Sequence, residues 1–399
     1  MRRIGIYGGA FNPPHLGHIQ AAKWAVDALG LDMLLMIPSC ISPHKQDPRH
    51  SASGAQRLEM LCLALQNAQA ITASDLELSR GGTSYTYQTV EQLRVSYPDA
   101  ELILFMGTDM FLSFHAWREP ERILKQASIG VFYRGSRNEN ADVMRQKAAL
   151  EAMGATVYLV DNPVTEISST DLRRMLIFGC GKTFLPESVH AYICSNGLYG
   201  IRNNCKNLSL SDLEEKAVEL LNPGRINHVL GCKDTAVALA RHWGADETDA
   251  ARAALLHDIT KALDGARQLT LCDEYGVVPD TFLKQNPKTL HAFTGSLVAE
   301  YVFGESKAVV DAVRFHTTGK ADMTLLEKII YVADYMEPNR EFPGVDVLRQ
   351  LAYTDLDMAL MRGLEMTIDL LTQQGREVSP VSRQALQYIN EKIKSRKEG

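Results

Sequence analysis

The sequence predicts two domains of different class. One is a doubly wound α/β domain on a parallel sheet over residues 1–200; the other is an all-α domain over residues 210–399. Through the first, short apolar runs alternate with amphipathic stretches, the βαβ rhythm of strands buried on both faces. After residue 210 strand signals nearly vanish, and apolar residues recur at helical spacing. Between the two, Ile201-Arg202-Asn203-Asn204-Cys205-Lys206-Asn207 is polar and aperiodic, so residues 201–209 read as a linker.

The strand candidates, in order, are Arg3–Tyr7, Met33–Ile37, Leu102–Met106, Ile129–Tyr133 and Thr156–Val160. Ligands of such sheets lie beyond the carboxyl ends of the strands. The first strand is expected to end at Tyr7, with Gly8-Gly9 turning tightly beside a ligand. Pro13-Pro14 then sets the approach to a helix that His15, Gly17 and His18 begin. Histidines three apart share a helix face. Free amides at a helix start, with two imidazoles aimed the same way, suit a polyphosphate. Farther on, Ser168-x-x-Asp171 fits a capping box, so a second helix begins there with Arg173 in its first turn. Arginine at such a place can grip phosphate with two parallel hydrogen bonds. A helix over Glu187–Ser195 leads to Gly197-Leu198-Tyr199.

In the second domain, Leu213, Ala217, Leu220 and Leu221 mark one helix face. Leu356, Leu360, Leu364, Ile368 and Leu371 mark another, and Val381, Ala385, Ile389 and Ile393 a third. His228 falls on an early helix. His257-Asp258 follows the apolar face of Ala250, Ala254 and Leu255, at a helix end turned to the core. Asp334 follows Ile329-Ile330-Tyr331-Val332. Imidazoles and carboxylates buried in this way are costly unless paired or metal-bound.

Bulk properties narrow the field. At 399 residues the chain outgrows one ordinary core, and 45% apolar with 23% charged residues is ordinary globular composition. A net charge of −6 argues against a general nucleic-acid or membrane surface, so polyphosphate must be met locally. Arg2-Arg3 precedes an apolar run too short for a signal peptide, and none approaches the ~18–20 residues that span a bilayer. Seven scattered cysteines without a C-x-x-C pair read as reduced thiols, and the expected compartment is the cytoplasm. Self-association is left open.

His15-Leu16-Gly17-His18 and Ser168-Ser169-Thr170-Asp171-Leu172-Arg173 together resemble the HxGH nucleotidylyltransferase superfamily. Ser42-Pro43-His44-Lys45, Gly82-Thr83-Ser84-Tyr85-Thr86, Gly107-Thr108-Asp109, Trp117 and Gly197-Leu198-Tyr199 narrow the likeness to nicotinate-mononucleotide adenylyltransferase, over residues 1–200. The resemblance implies AMP transfer from ATP to nicotinate mononucleotide, giving deamido-NAD and pyrophosphate. It assigns His15, His18, Lys45 and Arg173 to the transferring phosphates, with Mg²⁺ arriving on ATP. Gly8, Gly9, Phe11, Ser169 and Thr170 would hold ATP. Ser84, Tyr85, Thr86, Asp109 and Trp117 would hold the mononucleotide.

The order His228, His257-Asp258, His291, His316, Asp334 resembles the HD-domain phosphohydrolases that bind two metals. Leu256-His257-Asp258-Ile259-Thr260-Lys261, His316-Thr317-Thr318-Gly319 and Ala333-Asp334-Tyr335-Met336-Glu337-Pro338-Asn339-Arg340 look like the symmetrical bis(5′-nucleosyl)-tetraphosphatases among them. That likeness implies cleavage of diadenosine tetraphosphate to two ADP. One metal would be held by His228, His257, Asp258 and Asp334, and the other by Asp258, His291 and His316. Ligands without thiolate suit iron or manganese. Asp258 and Lys261 would take part in catalysis, and Thr317, Thr318 and Arg340 would grip polyphosphate. Still open are another nucleotide substrate (cyclic dinucleotide, guanosine alarmone or nucleoside phosphate) and a regulatory nucleotide-binding role for this half.

Overall fold

The structure is a computed structural model that describes residues 1–41, 51–133, 140–161, 167–201 and 204–398. It divides into two compact units, residues 1–177 with 181–202, and residues 178–180 with 203–399.

Among the described residues, six parallel strands build the first unit: β1 Arg3–Gly9, β2 Met33–Pro38, β3 Ile71–Ala73, β4 Glu101–Gly107, β5 Ser128–Tyr133 and β6 Val157–Asp161. Their order is β3-β2-β1-β4-β5-β6, so the winding reverses between β1 and β4. Tyr7 pairs with Met36 on one side and Phe105 on the other. A crevice opens where strand order reverses, and that crevice is where α/β sheets bind ligands. Alternate β4 residues feed opposite cores: Leu102, Leu104 and Met106 one face, Ile103 and Phe105 the other. Gly130 on β5 makes room for this packing, because a Cβ there would lie 2.6 Å from the Phe105 ring.

Two local expectations are corrected. The edge strand β3 was not anticipated, since three residues carry too little periodicity to register. Gly8 and Gly9 do not turn; they continue β1, paired with Ile37 and Pro38. The sharp backbone falls instead on Phe11, at φ 46°.

The second unit is helical, with no strand among the described residues. Helix Ile226–Trp243 packs against helices Glu247–Leu256 and Leu325–Met336, and Lys307–Phe315 packs against Pro287–Val298 and Leu325–Met336. Side chains of Asp246, Asp264, Ser306 and Thr324 each accept the amide three residues on, capping their helices. Leu213, Ala217 and Leu220 are buried, as are Leu356, Leu360 and Leu364; Ile368 and Leu371 are only half-buried. Among the described residues, no helix is long and apolar enough to cross a membrane.

Candidate active sites

A cleft of about 1390 Å³ opens beyond the carboxyl ends of β1 and β4. Gly8, Gly9, His18, Ser84, Tyr85, Thr86, Asp109, Trp117, Ser169, Thr170 and Arg173 all line it. A Cβ at Gly8 would meet nothing within 4 Å, so that backbone is open to a close-lying ligand. Helix Leu16–Leu29 begins after His15, and its ring stacks on His18 with centroids 3.6 Å apart. Burial pushes the His15 imidazole down to about 4. It is therefore neutral at pH 7, a hydrogen-bonding group rather than a cation.

The loop between β1 and that helix is pinned by five residues from three stretches of chain. Arg57, buried, donates to the carbonyls of Ala10 at 2.7 Å and Ser39 at 2.6 Å. Tyr199 donates its hydroxyl to Asn12 Oδ1 at 2.7 Å, and the Ala52 amide donates to the same oxygen. Arg173 Nη1 donates to the Asn12 carbonyl at 2.9 Å, and the Ser169 hydroxyl to the Pro13 carbonyl at 3.2 Å. Helix Ser169–Ile177 starts as expected, its Asp171 amide donating to the Ser168 hydroxyl at 3.0 Å. Arg57 and Asn12 carried no signal of their own in the sequence.

Some residues of the cleft are turned to the scaffold. Phe11 is buried between Tyr7 and His18, packing its edge against both. The Ser84 hydroxyl accepts the Cys40 amide at 2.8 Å. Thr86 is the first residue of a helix, Trp117 packs on the sheet core beside Phe114, and the Arg118 guanidinium lies 4.5 Å from the Tyr85 ring centroid. Lys45 lies outside the described residues, as do Ser42, Pro43 and His44.

In the second unit, six residues from five stretches of chain converge. His257 caps the carboxyl end of Glu247–Leu256, and His316 that of Lys307–Phe315. His228 and Asp334 stand on helices Ile226–Trp243 and Leu325–Met336, and His291 on Pro287–Val298. Asp258 Oδ2 lies 3.7 Å from His228 Nε2 and 3.5 Å from His257 Nε2. Asp258 Oδ1 lies 3.1 Å from His291 Nε2 and 3.8 Å from His316 Nε2. Asp334 Oδ1 sits 3.1 Å from His228 Nε2 and 3.9 Å from His257 Nε2.

These side chains fit divalent cations, and the reason is their protons. His257, His291 and His316 place Nδ1 2.6–2.8 Å from the carbonyls of Ala254, Lys288 and Val313. A carbonyl only accepts, so Nδ1 carries a proton, and in the neutral ring Nε2 presents a lone pair. Yet His228 Nε2 faces His257 Nε2 at 3.3 Å, and His291 Nε2 faces His316 Nε2 at 3.2 Å. Lone pairs so opposed repel unless a proton or a metal cation lies between them. The ligand atoms of His228, His257 and Asp334 lie within 4.8 Å of one another, as do those of His257, Asp258 and His316; His291 falls in neither group and joins the second through Asp258 Oδ1 and His316. Burial alone would raise the Asp258 carboxyl, but His257, His291 and Lys261 hold it well below the usual carboxylate range. Burial pushes the His316 imidazole well down.

Cations rim the centre. Lys261 Nζ lies 3.0 Å from Asp258 Oδ1, in turns beyond the helix that ends at Leu256, not on its continuation. Arg225 pairs with Asp258 Oδ2, and Arg340 Nη2 with Asp334 Oδ1 at 2.7 Å. Arg225 was missed, although it precedes His228 by three residues and so shares its side of the chain. Thr318 donates to the Gly319 carbonyl, whereas the Thr317 hydroxyl is buried with no protein partner among the described residues.

Residues 6–175 match the cytidylyltransferase-like family, and residues 225–339 match the HD domain. The chain is similar to a protein named a probable nicotinate-nucleotide adenylyltransferase from Desulfatibacillum aliphaticivorans. Identity is 33%, over 49% of this chain and 99% of that protein. It is also similar to the symmetrical bis(5′-nucleosyl)-tetraphosphatase of Bacillus subtilis, at 40% identity over 40% of this chain and 86% of that one. Among solved structures, a predicted HD superfamily hydrolase involved in NAD metabolism from Clostridium acetobutylicum matches with TM-score 0.45 and 36% identity. That match covers 46% of this chain and 98% of the other.

Proposed function

The chain belongs to the nicotinate-nucleotide adenylyltransferase family and carries an HD domain, and from that premise we propose a bifunctional enzyme of dinucleotide metabolism. In the first unit, a phosphate oxygen of nicotinate mononucleotide attacks the α-phosphorus of ATP. The bond from that phosphorus to the bridging oxygen breaks, and pyrophosphate leaves with the electron pair, giving deamido-NAD. Such a transfer asks the protein chiefly for positioning and charge neutralisation. His18 and Arg173 line the cleft for that work, with Lys45 as a further candidate. Neutral His15 contributes a hydrogen bond, and Mg²⁺ would come bound to ATP.

In the second unit, the proposed reaction is hydrolysis of diadenosine tetraphosphate to two ADP. The observation that carries it is the Asp258 carboxylate, whose two oxygens serve different pairs of imidazoles. His228, His257, Asp258 and Asp334 would hold one divalent cation, and Asp258, His291 and His316 a second. Iron or manganese at those places would activate water near neutral pH and neutralise the phosphate under attack. Lys261, Arg225 and Arg340 supply positive charge at the rim for the remaining phosphates, and the free Thr317 hydroxyl can donate to one of them.

The test is incubation of manganese-loaded protein with ATP plus nicotinate mononucleotide and, separately, with diadenosine tetraphosphate, followed by product chromatography. Deamido-NAD in the first and ADP in the second are the expected products. Turnover of a cyclic dinucleotide or guanosine alarmone in place of diadenosine tetraphosphate would overturn the substrate assignment of the second unit. Absence of deamido-NAD would overturn that of the first.

A further inference from the structure

Glu337 is a buried carboxylate beside the HD centre that the proposed reaction does not use. Its Oε1 lies 3.1 Å from His228 Nδ1. Its Oε2 accepts the Asn339 backbone amide at 2.8 Å and the Asn339 side-chain amide at 2.8 Å. Space is kept for it as well. A Cβ at Gly231, one turn beyond His228, would fall 2.5 Å from Glu337 Oε2. Arg349 donates to the Glu337 carbonyl at 3.1 Å and fixes the backbone from behind. Among the described residues, His228 is the only one of the four imidazoles whose Nδ1 meets a carboxylate.

A carboxylate behind a histidine makes its other nitrogen a stronger donor than a carbonyl does, and losing such a partner commonly weakens metal binding by about 10–100-fold. The halves of the centre also differ in carboxylate content: Asp334 and Asp258 Oδ2 face the His228–His257 pair, whereas Asp258 Oδ1 faces His291 and His316. We infer that Glu337 is a positioning residue that makes the His228–His257–Asp334 half the tight cation site, leaving the His291–His316 half weaker and filled second. The inference rests on the two-cation reading of this centre and deepens it.

The experiment is Mn²⁺ binding to chelator-stripped full-length protein by equilibrium dialysis, with bound metal counted by elemental analysis. The unsubstituted protein should show two classes of site. Glu337→Gln should weaken the tighter class about 10–100-fold and leave the weaker within about twofold, whereas His291→Ala should remove the weaker class. Gly231→Ala displaces the carboxylate without altering it and should act like Glu337→Gln, while circular dichroism reports the helical fold of each variant. If folded Glu337→Gln and Gly231→Ala both leave the tighter class unchanged, the inference fails and the two-cation reading survives. If the unsubstituted protein binds no Mn²⁺, that reading itself fails.

Discussion

Asp258 Oδ1 lies 3.1 Å from His291 Nε2, while the other oxygen of the same carboxylate faces His228 and His257. Among the described residues, Asp258 is thus a carboxylate that both imidazole pairs face. Asp258→Ala should strip both cations and abolish polyphosphate hydrolysis, leaving adenylyl transfer within about twofold; His291→Ala should cost one cation. Elemental analysis of the purified variants decides it, and two metals per chain in Asp258→Ala would sink the shared-ligand assignment.

His18→Ala should cut adenylyl transfer by about 100-fold or more, as loss of a group that stabilises transferring charge commonly does. Hydrolysis should stay within about twofold, because the two ligand sets share no residue. Parallel assays on one preparation test this; a matched fall in both activities of a folded variant would contradict independent sites.

His15 gives a pH dependence with a definite sign. Its imidazole is pushed down to about 4 by burial, against an ordinary value of 6.5. A depressed value means that the unfolded chain takes up the proton first. The contribution of His15 to the stability of the ligand-free first unit is therefore fully present above pH 6.5 and is lost as pH falls toward 4, by about 3 kcal/mol at most. Ring-proton NMR on the ligand-free protein should give a His15 midpoint near 4; a midpoint near 6.5 would show that the ring is solvated.

Tyr199→Phe keeps the buried ring and removes only the hydroxyl on Asn12. The expected cost is about 1–2 kcal/mol in denaturant unfolding of the first unit. KM for ATP should rise more than kcat falls, since the loop rather than the reacting groups is loosened. An unchanged KM would mean that Arg57 and Arg173 hold the loop without it.

What could be read from the sequence was decided by how local the signal was. Helix faces such as Leu213, Ala217 and Leu220, and strands of five or more residues, announce themselves through periodicity, and the folded chain buries them accordingly. β3 did not, being three residues long at the sheet edge. Gly8-Gly9 suggested a turn because glycine permits one, yet the strand runs through both and strain falls on Phe11. The candidate metal ligands stood out as a set of residue types in order. Glu337 lies in the run Ala333–Arg340 beside Asp334, but its partner is 109 residues away, and only the fold brings His228 to it. Arg57 and Asn12 were silent for the same reason.

The three carbonyls that orient His257, His291 and His316 each belong to the residue three positions earlier, Ala254, Lys288 and Val313. For His257 and His316 those carbonyls lie in the last turn of a helix, where four acceptors lack a backbone partner. The same imidazole therefore ends a helix and aims a ligand. Anyone re-engineering this centre for a different ion should find that replacing either histidine by a carboxylate exchanges one donor for another and also removes a stop signal for the helix. The geometry being redesigned would shift under the redesign. Retargeting is better begun at His291, which lies inside its helix and has no such second duty.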